Sequence, residues 1–261
     1  RDESQQSLLE VFQVSLQILK TRFWNRQGGE HAMVPTEETN GSDAEYNETS
    51  GTPKVYRDAA QALHILPLLA FFPIFWMLYD QQGSVWTLQA TKMNLYGLEP
   101  EQLQFLNPLE IMIFIPLFDR KIYPWLESQG VNIQPLRRME YGMFLTAVSF
   151  AMSPVLEMRI QFQDSMSVSV VWQVPQITVL TIAEILLNVT GLEFAYSQAP
   201  ADMQALVLAL FLFTTTIGDG LAAILYGSVF SHLSSATAML LCAIFMLMNT
   251  VFFGMFARKW E

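Results

Sequence analysis

Cysteine is almost missing from this 261-residue chain: Cys242 is the only one. It sits in an apolar run, so no intrachain disulfide framework exists and a thiolate metal site is not expected. Charge is scarce too, at 15% of residues, where soluble domains carry about 25%. Basic residues are scarcer still, with 14 Lys and Arg against 24 Asp and Glu and a net charge of −10. No basic stripe is present to neutralise phosphates, which excludes a nucleic-acid partner. His31, His64 and His232 have no metal-ligand spacing, and neither a phosphate-cradling loop nor a Ser or Cys nucleophile motif occurs. The chain opens at Arg1 with no initiator methionine or signal peptide, so a fragment of something longer is expected.

Apolar residues are what the chain has in abundance: 52% of the sequence, with a mean hydropathy of +0.29. Nine of the 24 acids (Asp2, Glu3, Glu10, Glu30, Glu37, Glu38, Asp43, Glu45, Glu48) precede residue 58, in what reads as a solvated tail. Within residues 1–29, the stretch 7–24 reads as an amphipathic helix. Ser7 and Glu10 have capping-box spacing, and Leu9, Phe12, Leu16, Leu19 and Phe23 line one face. Lys20, Arg22 and Arg26 suit its carboxyl end, and Gly28-Gly29 stops it. Such a helix packs on a partner domain or lies at a membrane interface. Residues 30–57 lack periodic apolar positions and read as a disordered linker.

From 58 to 257 the pattern changes. Six apolar segments recur at about 59–82, 103–124, 136–157, 170–194, 203–230 and 236–257. Each is near or above the ~20 residues that cross ~30 Å of hydrocarbon. The internal prolines Pro67, Pro73, Pro108 and Pro116 are tolerated in membrane helices better than in soluble ones. With the amino-terminal tail in the cytosol, the 14 basic residues divide 12 inside to 2 outside, Lys92 and Arg159 being the outside pair. That bias places both termini, including the tail 258–261, in the cytosol. The sequons at Asn40 and Asn47 then go unused, and glycan on either would invert the topology.

The chemistry-bearing residues are acids inside these segments, each costing ~2.5–3.5 kcal/mol on insertion scales unless paired or hydrated. Glu184 in LTIAEILLNVTG lies 12 residues past Trp172, roughly 18 Å down a helix at about 1.5 Å per residue and thus near mid-membrane. Asn188 follows one turn later. The stretch FWMLYDQQGSVWTLQA ends an apolar run in acid, amides and indoles, which suits the wall of a solute pathway. There Asp80 stands one turn after Trp76, near the expected outer end of the first span. Asn107 and Glu110 share a helix face, and Asp219 lies between Gly218 and Gly220. Tyr79-Asp80 with Gly218-Asp219 invites comparison with intramembrane aspartyl proteases. Thr216 occupies the position where glycine is required, no Pro-Ala-Leu follows, and Asp80 is expected too near the outer surface to share a proton with Asp219. A non-enzymatic role is expected.

Taken together, FWMLYDQQGSVWTLQA, LNPLEIMIFIPLFDRKIYP, PLRRMEYG and WQVPQITVLTIAEILLNVTGLEFAYSQAP resemble the proton-dependent oligopeptide transporter family of the major facilitator superfamily. The resemblance runs from about residue 55 to the end and corresponds to the carboxyl-terminal six helices of a twelve-helix transporter. It implies an all-α membrane protein in the plasma or vacuolar/lysosomal membrane. Di- and tripeptides would be its substrates, protons its coupling ion with no other cofactor, and the lipid bilayer and a missing amino-terminal half its partners. Transport would proceed by alternating access around a central site.

By this resemblance Glu184 receives the peptide amino terminus, Asn107 shares that role, and Trp76 lines the side-chain pocket. Asp80 pairs across the outer gate, while Glu193 and Tyr196 of GLEFAYSQAP act in gating near the cytoplasmic end. Asn188 and Phe211 stand at pocket positions where a small hydroxyl residue and Trp are usual. Asp219 replaces the usual Asn, and Glu110 an apolar residue. Burial favours a protonated carboxyl and an arriving ammonium favours the carboxylate, so a glutamate at this position can exchange a proton for an amino group. A nitrate or small-solute transporter of the same family, a non-transporting nutrient receptor and an inactive truncated product are the other readings of the sequence.

Overall fold

The computed structural model describes residues 58–59, 62–130, 134–163 and 166–260. The expected amphipathic helix of 1–29 and linker of 30–57 lie outside them. Helices make up the regular structure, as the all-α expectation required, with one isolated parallel bridge between Asn94 and Ser169. In chain order the helices are α1 (Leu66–Leu69), α2 (Phe72–Tyr79), α3 (Val85–Ala90), α4 (Leu106–Leu117), α5 (Tyr123–Ser128), α6 (Pro135–Phe162), α7 (Val174–Glu184), α8 (Thr190–Gln198), α9 (Gln204–Ser228) and α10 (Ser235–Trp260).

Among the described residues four helical stretches are long and apolar enough to cross a membrane: Pro135–Phe162, Val170–Gln198, Ala201–His232 and Ser235–Trp260. A fifth is counted if the broken pair Ala62–Leu69 and Phe72–Ala90 is one span. The expected span at 103–124 is helical but is not among these five. It is assembled from a 3-10 turn (Pro100–Phe105), α4, a π turn (Phe118–Ile122) and α5. Asn107, Glu110, Asp119, Arg120 and Lys121 dilute its apolar character.

Prolines mark where elements begin. α2, α5, α6 and α7 all carry Pro in the first turn, where the missing N–H has no intrahelical partner to lose. The chain divides into two compact units. Among described residues the smaller contains 58–66 and 195–209. There the end of α8 turns through Ala199, whose N–H donates to the Tyr196 carbonyl at 3.3 Å, into a 3-10 turn at Ala201–Met203.

The larger unit, residues 67–194 and 210–260 among those described, holds the rest. α6 packs along α10 and across α7, while α2 lies against α6 and α10, and α4 against α7. Phe72, Phe75, Phe150, Phe253, Met139 and Met143 are fully enclosed between these helices. Two glycines set the spacing. At Gly142 of α6 an added Cβ would lie 2.8 Å from the Ala183 carbonyl and the Leu187 nitrogen. At Gly218 of α9 it would lie 2.7 Å from the Pro73 carbonyl and Trp76 Cβ. Backbone therefore meets backbone at both crossings, the arrangement small residues permit between membrane helices. Leu247, Met248, Val251, Phe252 and Met255 of α10 face outward and are largely exposed, a surface that hydrocarbon solvates as well as another helix does.

A buried polar network ties α3, α6 and the start of α7 together. Lys92 Nζ donates to Glu157 Oε1 at 2.6 Å, and Gln89 Nε2 donates to Glu157 Oε2 and to the Ser153 carbonyl, each at 3.1 Å. Gln173 and Gln176 donate to Gln89 Oε1 at 3.3 and 3.2 Å. Ser153 Oγ donates to Gln176 Oε1 at 3.2 Å. Gln89 thus uses its amide as both donor and acceptor between three segments.

Candidate functional site

Glu184 closes α7 and is followed at once by a π turn, Ile185–Val189. Wide turns of this kind inside helices occur mostly at functional positions. Its carboxylate is buried, with 8% of the residue exposed. Oε2 accepts two hydrogen bonds, from Tyr79 Oη at 2.9 Å and from Asn107 Nδ2 at 3.0 Å. Asn107 Nδ2 also donates to Thr181 Oγ1 at 3.1 Å, and Thr181 Oγ1 donates back to the Ile177 carbonyl at 3.1 Å. Tyr79 Oη lies 3.3 Å from Asn107 Oδ1 as well. Two helices, α2 and α4, each place one side chain on the carboxylate that α7 supplies. The close crossing at Gly142 holds α7 against α6 immediately beside it.

Such a carboxylate, gripped on one oxygen by neutral donors and with no cation of this unit bonded to it, is suited to receive an ammonium or a proton. Hydrogen bonds to an ionised group are stronger than neutral ones and geometrically restrictive. The donors therefore orient the carboxylate as well as stabilise it.

The remaining sequence-predicted residues are placed as follows. Trp76 lies in α2 one turn before Tyr79, its ring set edge-on to Tyr79 with centroids 5.5 Å apart. Its indole N–H is buried without a partner. Asn188 falls within the π turn after Glu184, half-buried. Phe211 is 1% exposed and stacks edge-on against Phe72 at 5.0 Å. It is thus a packed core residue rather than an open pocket wall. Glu193 is exposed on α8 in the larger unit; Tyr196, 49% exposed, belongs to the smaller one.

Asp80 opens the 3-10 turn Asp80–Gly83, and Asp219 lies near enough to act on it electrostatically. This corrects the expectation that Asp80 stands apart from Asp219 at the outer end. The Gly218 crossing draws α9 onto α2 at Trp76, one turn from Asp80, and brings the two acids together. Glu110 lies one turn beyond Asn107 on α4 and accepts a hydrogen bond from Thr178 Oγ1 at 2.6 Å. Among the described residues no group of three or more His, Cys, Asp or Glu side chains is arranged to hold a metal ion.

Two members of the Glu184 network escaped sequence reasoning: Tyr79, which bonds the carboxylate, and Thr181, which bonds Asn107. Tyr79 drew notice only as part of a protease-like dipeptide, although it stands three residues after Trp76 on one helix face. Thr181 stands three residues before Glu184, again one turn away. A search for hydroxyls one turn from each buried acid finds Thr181 and, beside Glu110, nothing on its own helix. Thr178 is reachable only through the packing of α4 on α7.

Comparison with known proteins shows the family of the chain. A family model, PTR2, described as the POT family, matches residues 8–241. Solute carrier family 15 member 2 of Oryctolagus cuniculus is 47% identical over 107 residues, which is 40% of this chain and 15% of that protein. Peptide transporter PTR2 of Saccharomyces cerevisiae is 27% identical over 179 residues, covering 64% of this chain and 30% of that protein. Among solved structures, an auto-inhibited POT family peptide transporter superposes with a TM-score of 0.74 at 30% identity, covering 79% of this chain and 42% of its own. The POT family transporter PepTSo gives 0.70 at 30% identity, covering 82% and 44%. In each case the match spans less than half of the relative's own length.

Proposed function

This chain belongs to the POT family, and from that premise we propose that it is the carboxyl-terminal half of a transporter that moves di- and tripeptides together with protons. The observation that carries the reading is the Glu184 carboxylate, buried and held by Tyr79 and Asn107. It offers a negative charge of fixed direction to the amino terminus of a short peptide. An anion such as nitrate gains nothing from that charge, which is why a substrate with an amino group fits better. Trp76, beside Tyr79, supplies an apolar wall and an indole donor at the same level.

Coupling follows from competition at one group. A proton and an arriving ammonium compete for this one carboxylate. Asp80 serves the outer gate by pairing with a basic residue of the other half of the protein, and Glu193 and Tyr196 act at the cytoplasmic end. The basic-residue bias puts both termini in the cytosol, in the plasma membrane or a vacuolar or lysosomal membrane.

Uptake of labelled dialanine, with nitrate alongside, by the full-length parent protein in proteoliposomes under an inward proton gradient tests this. Dialanine uptake that collapses with the gradient is expected. Nitrate uptake without dialanine uptake would overturn the reading of Glu184, and binding without uptake would make the protein a receptor.

A further inference from the structure

Glu110 stands on α4 one turn from Asn107 and faces α7, in the same seam that carries the Glu184 site but bonded to different groups. Its Oε1 accepts from the Thr178 hydroxyl at 2.6 Å. Its Oε2 is closed off from solvent and has no hydrogen-bond partner. An ionised carboxylate oxygen enclosed by protein with no donor is among the least favourable groups a membrane segment can hold. Some donor has to reach Oε2. An ammonium or guanidinium would have to part α4 from α7 to do so, since the atom is already covered. A proton needs no space.

The surrounding charges leave that assignment intact. On α7 the titratable group is Glu184, whose Oε2 is taken by Tyr79 and Asn107. The 3-10 turn before α4 carries Glu101, and the π turn after it carries Asp119, Arg120 and Lys121. All four lie beyond the ends of α4, and no basic residue stands on α4 or α7 to hold Glu110 ionised.

We propose that Glu110 is a second proton-binding residue of this chain, its carboxyl group protonated while it is bonded to Thr178 and enclosed between α4 and α7, and releasing the proton when α4 and α7 separate. On release the carboxyl O–H bond breaks, its electron pair stays on the carboxylate, and the proton passes to water admitted by the opening. The release step rests on the transport reading above. The bound proton rests on the enclosed, unpartnered carboxyl oxygen. A chain with an apolar residue here would have one proton site fewer.

Infrared spectra of the parent protein in proteoliposomes, wild type against Glu110→Gln, read the proton directly. Glutamine keeps an acceptor for Thr178 and nearly the same shape; Glu110→Leu serves as a second variant if the first does not fold. A protonated-carboxyl carbonyl band present in wild type and lost in the variant is expected. Identical bands in both overturn the proposal. Adding dialanine to wild type should diminish that band, and fewer protons should move per dialanine in Glu110→Gln. A band indifferent to dialanine in protein that transports it removes the release step. Protein that moves no dialanine defeats the transport reading instead, while the comparison with Glu110→Gln still decides where the proton sits.

Discussion

Lys92 and Glu157 form an ion pair whose two ends differ in environment, and the difference makes an asymmetric prediction. Glu157 is 1% exposed on its side chain and Lys92 48%. Replacing Lys92 with Met strands a buried carboxylate that keeps only Gln89 as a donor. Removing one partner of a buried pair costs about 3–5 kcal/mol, because the other charge stays uncompensated. Replacing Glu157 with Gln instead frees a lysine that is already half in water and can extend its head group fully into it. What is lost then is one charged hydrogen bond, about 1.5–3 kcal/mol at most and less for a half-exposed partner. Lys92→Met should therefore lower the melting temperature of detergent-solubilised protein clearly more than Glu157→Gln. Combining the two should recover most of the difference, since no unpaired buried charge remains. The opposite ranking, or a Lys92→Met protein that melts like wild type, would refute the argument that burial of the acid decides the energetics.

Three further outcomes follow from the site and its scaffold. Tyr79→Phe removes one of two donors to Glu184 Oε2, an interaction with a charged group worth roughly 1.5–3 kcal/mol. Dialanine KM in the parent transporter should rise roughly tenfold or more, at 1.4 kcal/mol per decade; an unchanged KM would remove Tyr79 from the site. Gly142→Ala places a methyl 2.8 Å from the backbone of α7 and should destabilise by about 1–3 kcal/mol through overpacking. Gly227→Ala, where nothing lies within 4 Å of the added carbon, should be neutral or slightly stabilising in the same thermal assay.

How far the sequence could be read depended on whether a feature was local. Apolar runs were legible as helices, the expected 136–157 falling within α6 and 236–257 within α10. Glu184 and Asn107 stood out because a charge or an amide in an apolar run is anomalous by itself. Their junction at one oxygen, with Tyr79 as a third member, depends on how α2, α4 and α7 pack, and no spacing along the chain encodes it. The same holds for Asp80 and Asp219, which a glycine crossing brings together from positions that sequence distance alone kept apart. Gln89 reads from sequence as part of a polar pathway wall, and Glu157 as an ordinary polar residue near a helix end; their burial against each other appears only once α3, α6 and α7 converge. The span at 103–124 was drawn as one apolar helix, whereas its charged middle and end resolve into 3-10, α and π segments.

The central claim is that Glu184 receives the amino terminus of a short peptide. Competition by dialanine and by N-acetyl-dialanine against labelled peptide in the parent transporter, wild type and Glu184→Gln, tests it most directly. Strong competition by dialanine alone in wild type, with that preference erased in Glu184→Gln, is the predicted result. Equal competition by the acetylated peptide in wild type would contradict the assignment, because a substrate without an ammonium would then have no need of this carboxylate.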